Sequence, residues 1–178
     1  MNLLMNLLMK IREDLEVIIE KQPYYESLNQ KLLQDAESVD YSHWSYKTNV
    51  KAKMSDFQTH SKSIELVTDW IASLIDKEYQ YIERGYGLDF ENTWFAKYDH
   101  GDYTKEHDHA LCFFSFVYYI KCPPGSAPLV FTTTGKQVNP EEGMVVIFRS
   151  CMRHGVPQNG CENRIVLAGN VELTKKIY

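Results

Sequence analysis

The sequence predicts a mainly β fold with N-terminal helices: two antiparallel sheets in a jelly roll, with the helices packed on one of them. Three observations lead there. Apolar residues recur at helical spacing in the first half, while short apolar or alternating runs fill the second half. Pro, Gly and Asn turns separate those runs, and no helix-length segment lies between them to make parallel crossovers. A chain of 178 residues with 44% hydrophobic content is long enough to bury a core. One domain, 1–178, is therefore expected, mostly helical over 1–84 and strand-rich over 85–178.

From Met1 to about Lys21, Ile11, Leu15, Ile18 and Ile19 follow helical spacing until Pro23 interrupts it, which predicts a first helix. "YYESLNQKLLQDAE" predicts a second, shorter one. Ile64, Val67, Ile71, Leu74 and Ile75 form the apolar stripe of a third, with Ser61 or Ser63 as its N-cap. The "KTNVKAK" segment before it reads as a solvated stretch. After Gly85 and Gly87, the runs "TWFAKY", "YTKEHDH", "FFSFVYYIK", "APLVFTTT", "GMVVIFRS" and "NRIVLAGNVEL" read as strands, and "CPPGS", "NPEEG" and "PQNGCEN" as the turns between them.

Composition narrows the function. Nineteen Lys and Arg face 24 Asp and Glu, a net charge of -5, so the basic footprint of a nucleic-acid binder is missing and nucleic acid is not an expected partner. The N-terminal "MNLLMNLLM" is far shorter than a bilayer span and lacks a charged n-region and a cleavage site. No membrane association is expected, and the cytoplasm is the expected compartment. Cys112, Cys122, Cys151 and Cys161 form no C-x-x-C pair, and free thiols are expected rather than disulfides or a zinc site.

Chemistry concentrates in "YTKEHDH". Residues i and i+2 of a strand share a face, so His107 and His109 can converge while Asp108 points away. His154, at the end of "GMVVIFRS", can join them if the sheet brings the two strands side by side, and three imidazoles suit iron, zinc, copper or nickel. The spacing fits surface histidines as well. Arg164 inside the apolar "NRIVLAGN" is the stronger sign, because a guanidinium among apolar neighbours calls for an anion. A small-molecule carboxylate held in a bidentate pair would supply one.

The order "AKYDHGDYTKEHDH … FVYYIK … NPEEGMVVIFRSCMRHGVP … NRIVLAGN", from about Trp94 to Val171, resembles the iron(II)- and 2-oxoglutarate-dependent dioxygenases. It is nearest to their prolyl-hydroxylase-like branch and to short phage and bacterial members. The resemblance implies a double-stranded β-helix, with Fe(II), 2-oxoglutarate and O2 as cofactor and cosubstrates. It also implies that His107 and His154 bind iron, that Arg164 binds the 5-carboxylate of 2-oxoglutarate, and that Tyr98 and Tyr119 hydrogen-bond the cosubstrate. Hydroxylation of an unactivated C–H bond, with a peptidyl side chain as substrate, is the implied reaction, and a phage-encoded member would act in the host cytoplasm.

One departure stands out: His109 occupies the position of the family's aspartate, as in some short phage-type members that read H-x-H. His109 is taken as the third ligand. Two other spellings stay open, the literal H-x-D of His100 and Asp102 beside Gly101, and Asp108 as the carboxylate. Two other functions also stay open. One is a cupin-like three-histidine dioxygenase that uses no 2-oxoglutarate, and the other is a non-enzymatic metal-binding jelly roll. Trp94, Phe113, Phe114, Phe116 and Tyr118 are expected as core or pocket wall.

Overall fold

Alternation inside the long apolar runs builds two cores at once. In the computed structural model, which describes residues 17–109 and 111–175 and their side chains except that of Glu91, strand β6 (Phe114–Lys121) sends Phe114, Phe116, Tyr118 and Ile120 to one face. Tyr119 goes to the other. Strand β9 (Met144–Arg149) splits in the same way, with Val145 and Ile147 on one face and Val146 and Phe148 on the other. Strands covered on both sides read as continuous apolar runs, and "MVVIF" and "RIVL" are such runs.

Strands β1 (Val17–Lys21), β3 (Lys53–Met54), β4 (Tyr86–Tyr98) and β11 (Arg164–Lys175) join β6 and β9 in a sheet of order β1-β9-β6-β11-β4-β3. The second sheet holds β2 (Val50–Lys51), β5 (Tyr103–His107), β7 (Leu129–Phe131), β8 (Lys136–Val138) and β10 (His154–Val156), in the order β2-β5-β10-β7-β8. Every strand pairing is antiparallel. The two sheets enclose one apolar cluster, and the outer face of the larger sheet carries the other, so the predicted jelly roll with helices on one sheet is what the chain forms.

Helix α1 (Tyr25–Ser38) lays Leu28, Leu32 and Ala36 on that outer face, and helix α2 (Lys62–Tyr79) adds Ile64, Val67, Ile71 and Ile75. Each fully buried aliphatic or aromatic side chain contributes about 1.5–3 kcal/mol. Ser61 is the α2 N-cap, its hydroxyl accepting from the Ile64 N–H, and both Ser61 and Ser63 donate to Asp35 on α1. A buried amide fixes where α1 sits: Asn29 donates to the Ile120 carbonyl at 2.7 Å and accepts from the Tyr118 hydroxyl at 2.8 Å. Gly143, at φ +81°, lets Tyr25 pack where a Cβ would lie 2.3 Å from its ring.

Two expectations are corrected. Residues 17–21 are an edge strand paired with β9, not the end of a first helix, and the remainder of that helix prediction lies outside the described residues. Ile18 and Ile19 fit either period in so short a run, and pairing with β9 decides it. The "KTNVKAK" segment is not simply solvated: Val50, Ala52 and Met54 are buried, and the segment supplies β2 to one sheet and β3 to the other. The four cysteines are free thiols, as expected.

Candidate metal centre

Register places two of the histidines. In the antiparallel β5–β10 pair, His154 stands directly opposite His107, and their ring centroids are 4.4 Å apart. His109 reaches the same point by a different route from the one its spacing suggests. Strand β5 ends at His107, and His109 lies two residues beyond, where its backbone N–H donates to the Ser150 carbonyl at 2.8 Å. Its ring centroid is 4.8 Å from that of His107 and 5.5 Å from that of His154. One ligand atom from each of the three lies within 4.8 Å of the others, a grouping able to hold a metal ion. His154 opens its own short strand rather than closing β9.

Two of the rings have a fixed tautomer. His107 Nδ1 meets the Lys105 carbonyl at 2.8 Å, and His154 Nδ1 meets the Met152 carbonyl at 2.9 Å. A carbonyl only accepts, so Nδ1 carries the proton and the Nε2 lone pair is left for a metal. Burial pushes all three imidazoles below their ordinary range, His109 to about 4 and His154 to about 3, with each ring's neighbouring imidazoles adding to the effect at these two. The cluster is therefore neutral at pH 7, the state in which imidazole ligates. Phe148 edges His154 at 4.7 Å, and Trp94 flanks His109 at 6.3 Å, so aromatic walls hold the rings in place.

The same cavity, between the two sheets, is lined at its other end by Arg164, Tyr98 and Thr104. Arg164 is 1% exposed, the largest fully buried side chain among the described residues, and its Nε and Nη1 have no hydrogen-bond partner. Its guanidinium lies 4.6 Å from the Tyr98 ring and 5.5 Å from the Tyr119 ring. The Tyr119 hydroxyl is also buried without a partner, and burial pushes it up to about 12, so it stays protonated and able to donate. Tyr98 is already engaged, its hydroxyl 2.7 Å from Thr104 Oγ1. Unsatisfied buried donors of this kind are costly, and those of Arg164 belong to a side chain that lines the histidine cavity. An anionic oxygen donor is the ligand that would satisfy them.

The competing spellings are not brought to the cluster. His100 is exposed in the turn after β4, and Asp102 accepts from the Asp99 N–H and the Tyr46 hydroxyl. Asp108 is exposed, as strand alternation expects. Trp94 is pocket wall, Phe114 and Tyr118 belong to the core under the helices, and Phe116 belongs to that core and also lines the cavity. Thr104, Ser115, Ser150 and Asn170 were not singled out from the sequence, since isolated Ser, Thr and Asn carry no pattern. Val50, which also lines the cavity, was not singled out either, since its segment was read as solvated.

In sequence the chain matches no family model and no curated protein. Its structure is similar to a Pseudomonas putida prolyl-4-hydroxylase, with a TM-score of 0.67 at 16% identity, covering 93% of this chain and 95% of that one. The viral collagen prolyl hydroxylase of Paramecium Bursaria Chlorella virus-1, in its 2-oxoglutarate complex, gives a TM-score of 0.66 at 13% identity, covering 86% and 94%. HygX of Streptomyces hygroscopicus, with nickel, 2-oxoglutarate and hygromycin B bound, gives 0.62 at 9% identity, covering 92% and 85%. At these identities the likeness shows the fold: the chain is built as a double-stranded β-helix of the prolyl-hydroxylase and 2-oxoglutarate–Fe(II) oxygenase kind.

Proposed function

We propose that the protein is a non-haem Fe(II)- and 2-oxoglutarate-dependent oxygenase that hydroxylates an unactivated C–H bond of a peptidyl side chain. One observation carries the reading: three neutral imidazoles and a fully buried guanidinium with unpaired N–H groups line the same cavity. His107, His109 and His154 hold the metal through lone pairs that burial keeps unprotonated. Arg164, whose Nε and Nη1 have no protein partner, binds the far carboxylate of 2-oxoglutarate through its guanidinium N–H groups, and the Tyr119 hydroxyl donates to the same carboxylate. Tyr98 forms the wall on which the guanidinium lies and, through Thr104, sets the polar edge of the subsite.

Iron held there supplies the oxygen activation and C–H chemistry when 2-oxoglutarate is bound. The chain's own part is to orient the two ligands toward each other and to exclude water with Val166, Phe148 and Trp94. The prolyl hydroxylases among the similar structures support a peptidyl substrate. No helix among the described residues is long and apolar enough to cross a membrane, and the cytoplasm is the compartment we propose.

The test is anaerobic titration of the apo-protein with Fe(II) and then 2-oxoglutarate, watching for the visible charge-transfer band of the chelate. A band that needs both additions and is lost in His154→Ala and Arg164→Ala supports the site. Its absence from folded, iron-loaded protein sinks the 2-oxoglutarate reading. Incubation of the loaded protein with proline-containing peptides, followed by mass spectrometry, tests the substrate through gain of one oxygen atom.

The all-imidazole cluster favours one second reading, a three-histidine dioxygenase in which Arg164 holds the substrate's own carboxylate. That enzyme would consume oxygen with no 2-oxoglutarate added. Metal uptake with no oxygen consumption under either condition would leave a binding module.

A further inference from the structure

His109 differs from the other two histidines in what holds it. His107 and His154 sit on paired strands with their Nδ1 atoms tied to carbonyls, whereas His109 lies past the end of β5 and its ring makes no such bond. Its backbone N–H donates to the carbonyl of Ser150, which is fully buried between β9 and β10, and its own carbonyl accepts from the Cys112 N–H at 2.9 Å in the turn that follows. All the polar groups of Ser150 are used. The carbonyl accepts from His109, the N–H donates to the Phe113 carbonyl at 3.2 Å, and the hydroxyl lies 2.9 Å from the Ser115 hydroxyl.

The hydroxyl contact has a defined direction. Ser115 has one proton and gives it to Asn170 Oδ1 at 2.9 Å, an atom that only accepts, so the Ser150 hydroxyl must donate to Ser115. Ser115 lines the metal cavity from β6, and Asn170 stands beside it on β11. All three side chains are buried. A polar chain in that position is costly unless every member is satisfied, and it then specifies a single arrangement.

We infer that the Ser150–Ser115–Asn170 chain positions His109, fixing the ligand that no strand fixes by tying its anchor to the larger sheet. The chain sets how far the His109 imidazole stands from the His107–His154 pair, and so whether the metal takes two protein ligands or three. This inference rests on the reading of the three histidines as metal ligands.

Titration with Co(II), whose visible d–d bands report coordination number and whose binding needs neither 2-oxoglutarate nor a substrate, tests it. Ser115→Ala is expected to weaken Co(II) binding about 10–100-fold, the usual effect of losing a group that orients a ligand, and to move the d–d bands toward those of His109→Ala. Ser115→Thr keeps the hydroxyl and should retain both affinity and spectrum. In the His109→Ala background, Ser115→Ala should cost nothing further in Co(II) affinity.

Wild-type affinity and spectrum in Ser115→Ala would overturn the inference, as would losses that add in the double variant. If Ser115→Ala fails to fold, the Asn170 end tests the chain instead: Asn170→Asp, which keeps an acceptor for Ser115, should leave the Co(II) spectrum unchanged while Asn170→Ala shifts it, and equal spectra for the two refute the chain. Wild-type protein that takes no Co(II) at all would instead remove the metal site itself.

Discussion

The two ends of one cavity lack opposite things. At the histidine end three imidazoles lie close enough to share one cation, and at the Arg164 end a buried guanidinium offers N–H groups that no protein acceptor meets. Each end is costly alone, and a molecule that is anionic at one end and chelating at the other would satisfy both. The apolar stretch between them, Val166 and Val117, sets the distance that such a molecule must bridge. A structural zinc site would need only the first end, and an anion-binding module only the second.

The largest expected effect comes from removing the isolated charge. Arg164→Met should abolish the 2-oxoglutarate-dependent band, a loss of about 2–5 kcal/mol in cosubstrate binding. It should also make the ligand-free protein more stable, by about 1–3 kcal/mol in urea unfolding, because a buried unpaired cation is replaced by a side chain of similar volume. A destabilised ligand-free variant would mean that stacking on Tyr98 and Tyr119 outweighs the missing partner.

At the other end, His154→Ala should lower Fe(II) affinity by more than the ~100-fold that loss of an outer-shell partner costs, measured by the same titration. The pH dependence follows from the lowered folded-state values. Between the ordinary value of 6.5 and the folded values of about 4 for His109 and about 3 for His154, the unfolded chain binds more protons than the native one. Stability of the metal-free protein should hold above pH 6.5 and fall as pH drops through that window, by up to about 1.4 kcal/mol per pH unit for each histidine. Thermal melts of wild type and His154→Gln should converge toward low pH, and parallel curves would refute the assignment.

The smallest effect sharpens the subsite. Thr104→Val leaves the Tyr98 hydroxyl without its 2.7 Å partner and should cost about 1 kcal/mol in melting of the ligand-free protein. Saturating 2-oxoglutarate should recover most of that loss if the freed hydroxyl turns to the cosubstrate.

What could be read from the sequence follows the strength of each local pattern. Helix α2, with its stripe and its Ser61 cap, and the long runs of β6, β9 and β11 were legible because burial on a fixed face imposes a period. The spacing of His107 and His109 identified two convergent rings but attributed the convergence to a strand that ends at His107, two residues short of His109. Arg164 was legible because a charge inside an apolar strand demands an explanation. Strand β1 was missed because five residues with two isoleucines carry no decisive period, and the polar chain behind His109 was missed because its members lie 20 and 35 residues apart on three segments. Such contacts exist only once the sheets have formed.

The segment from Val50 to Met54 pairs with β5 on one side and, three residues later, with β4 on the other, with Ala52 fully buried at the crossing. It works as a stitch through both layers. Along this edge the sandwich cannot widen by sliding one sheet on the other, since any parting breaks both short pairings together. Exchange of these backbone hydrogens with solvent is then expected to occur as a single event, on the clock of the whole sandwich rather than of a surface loop.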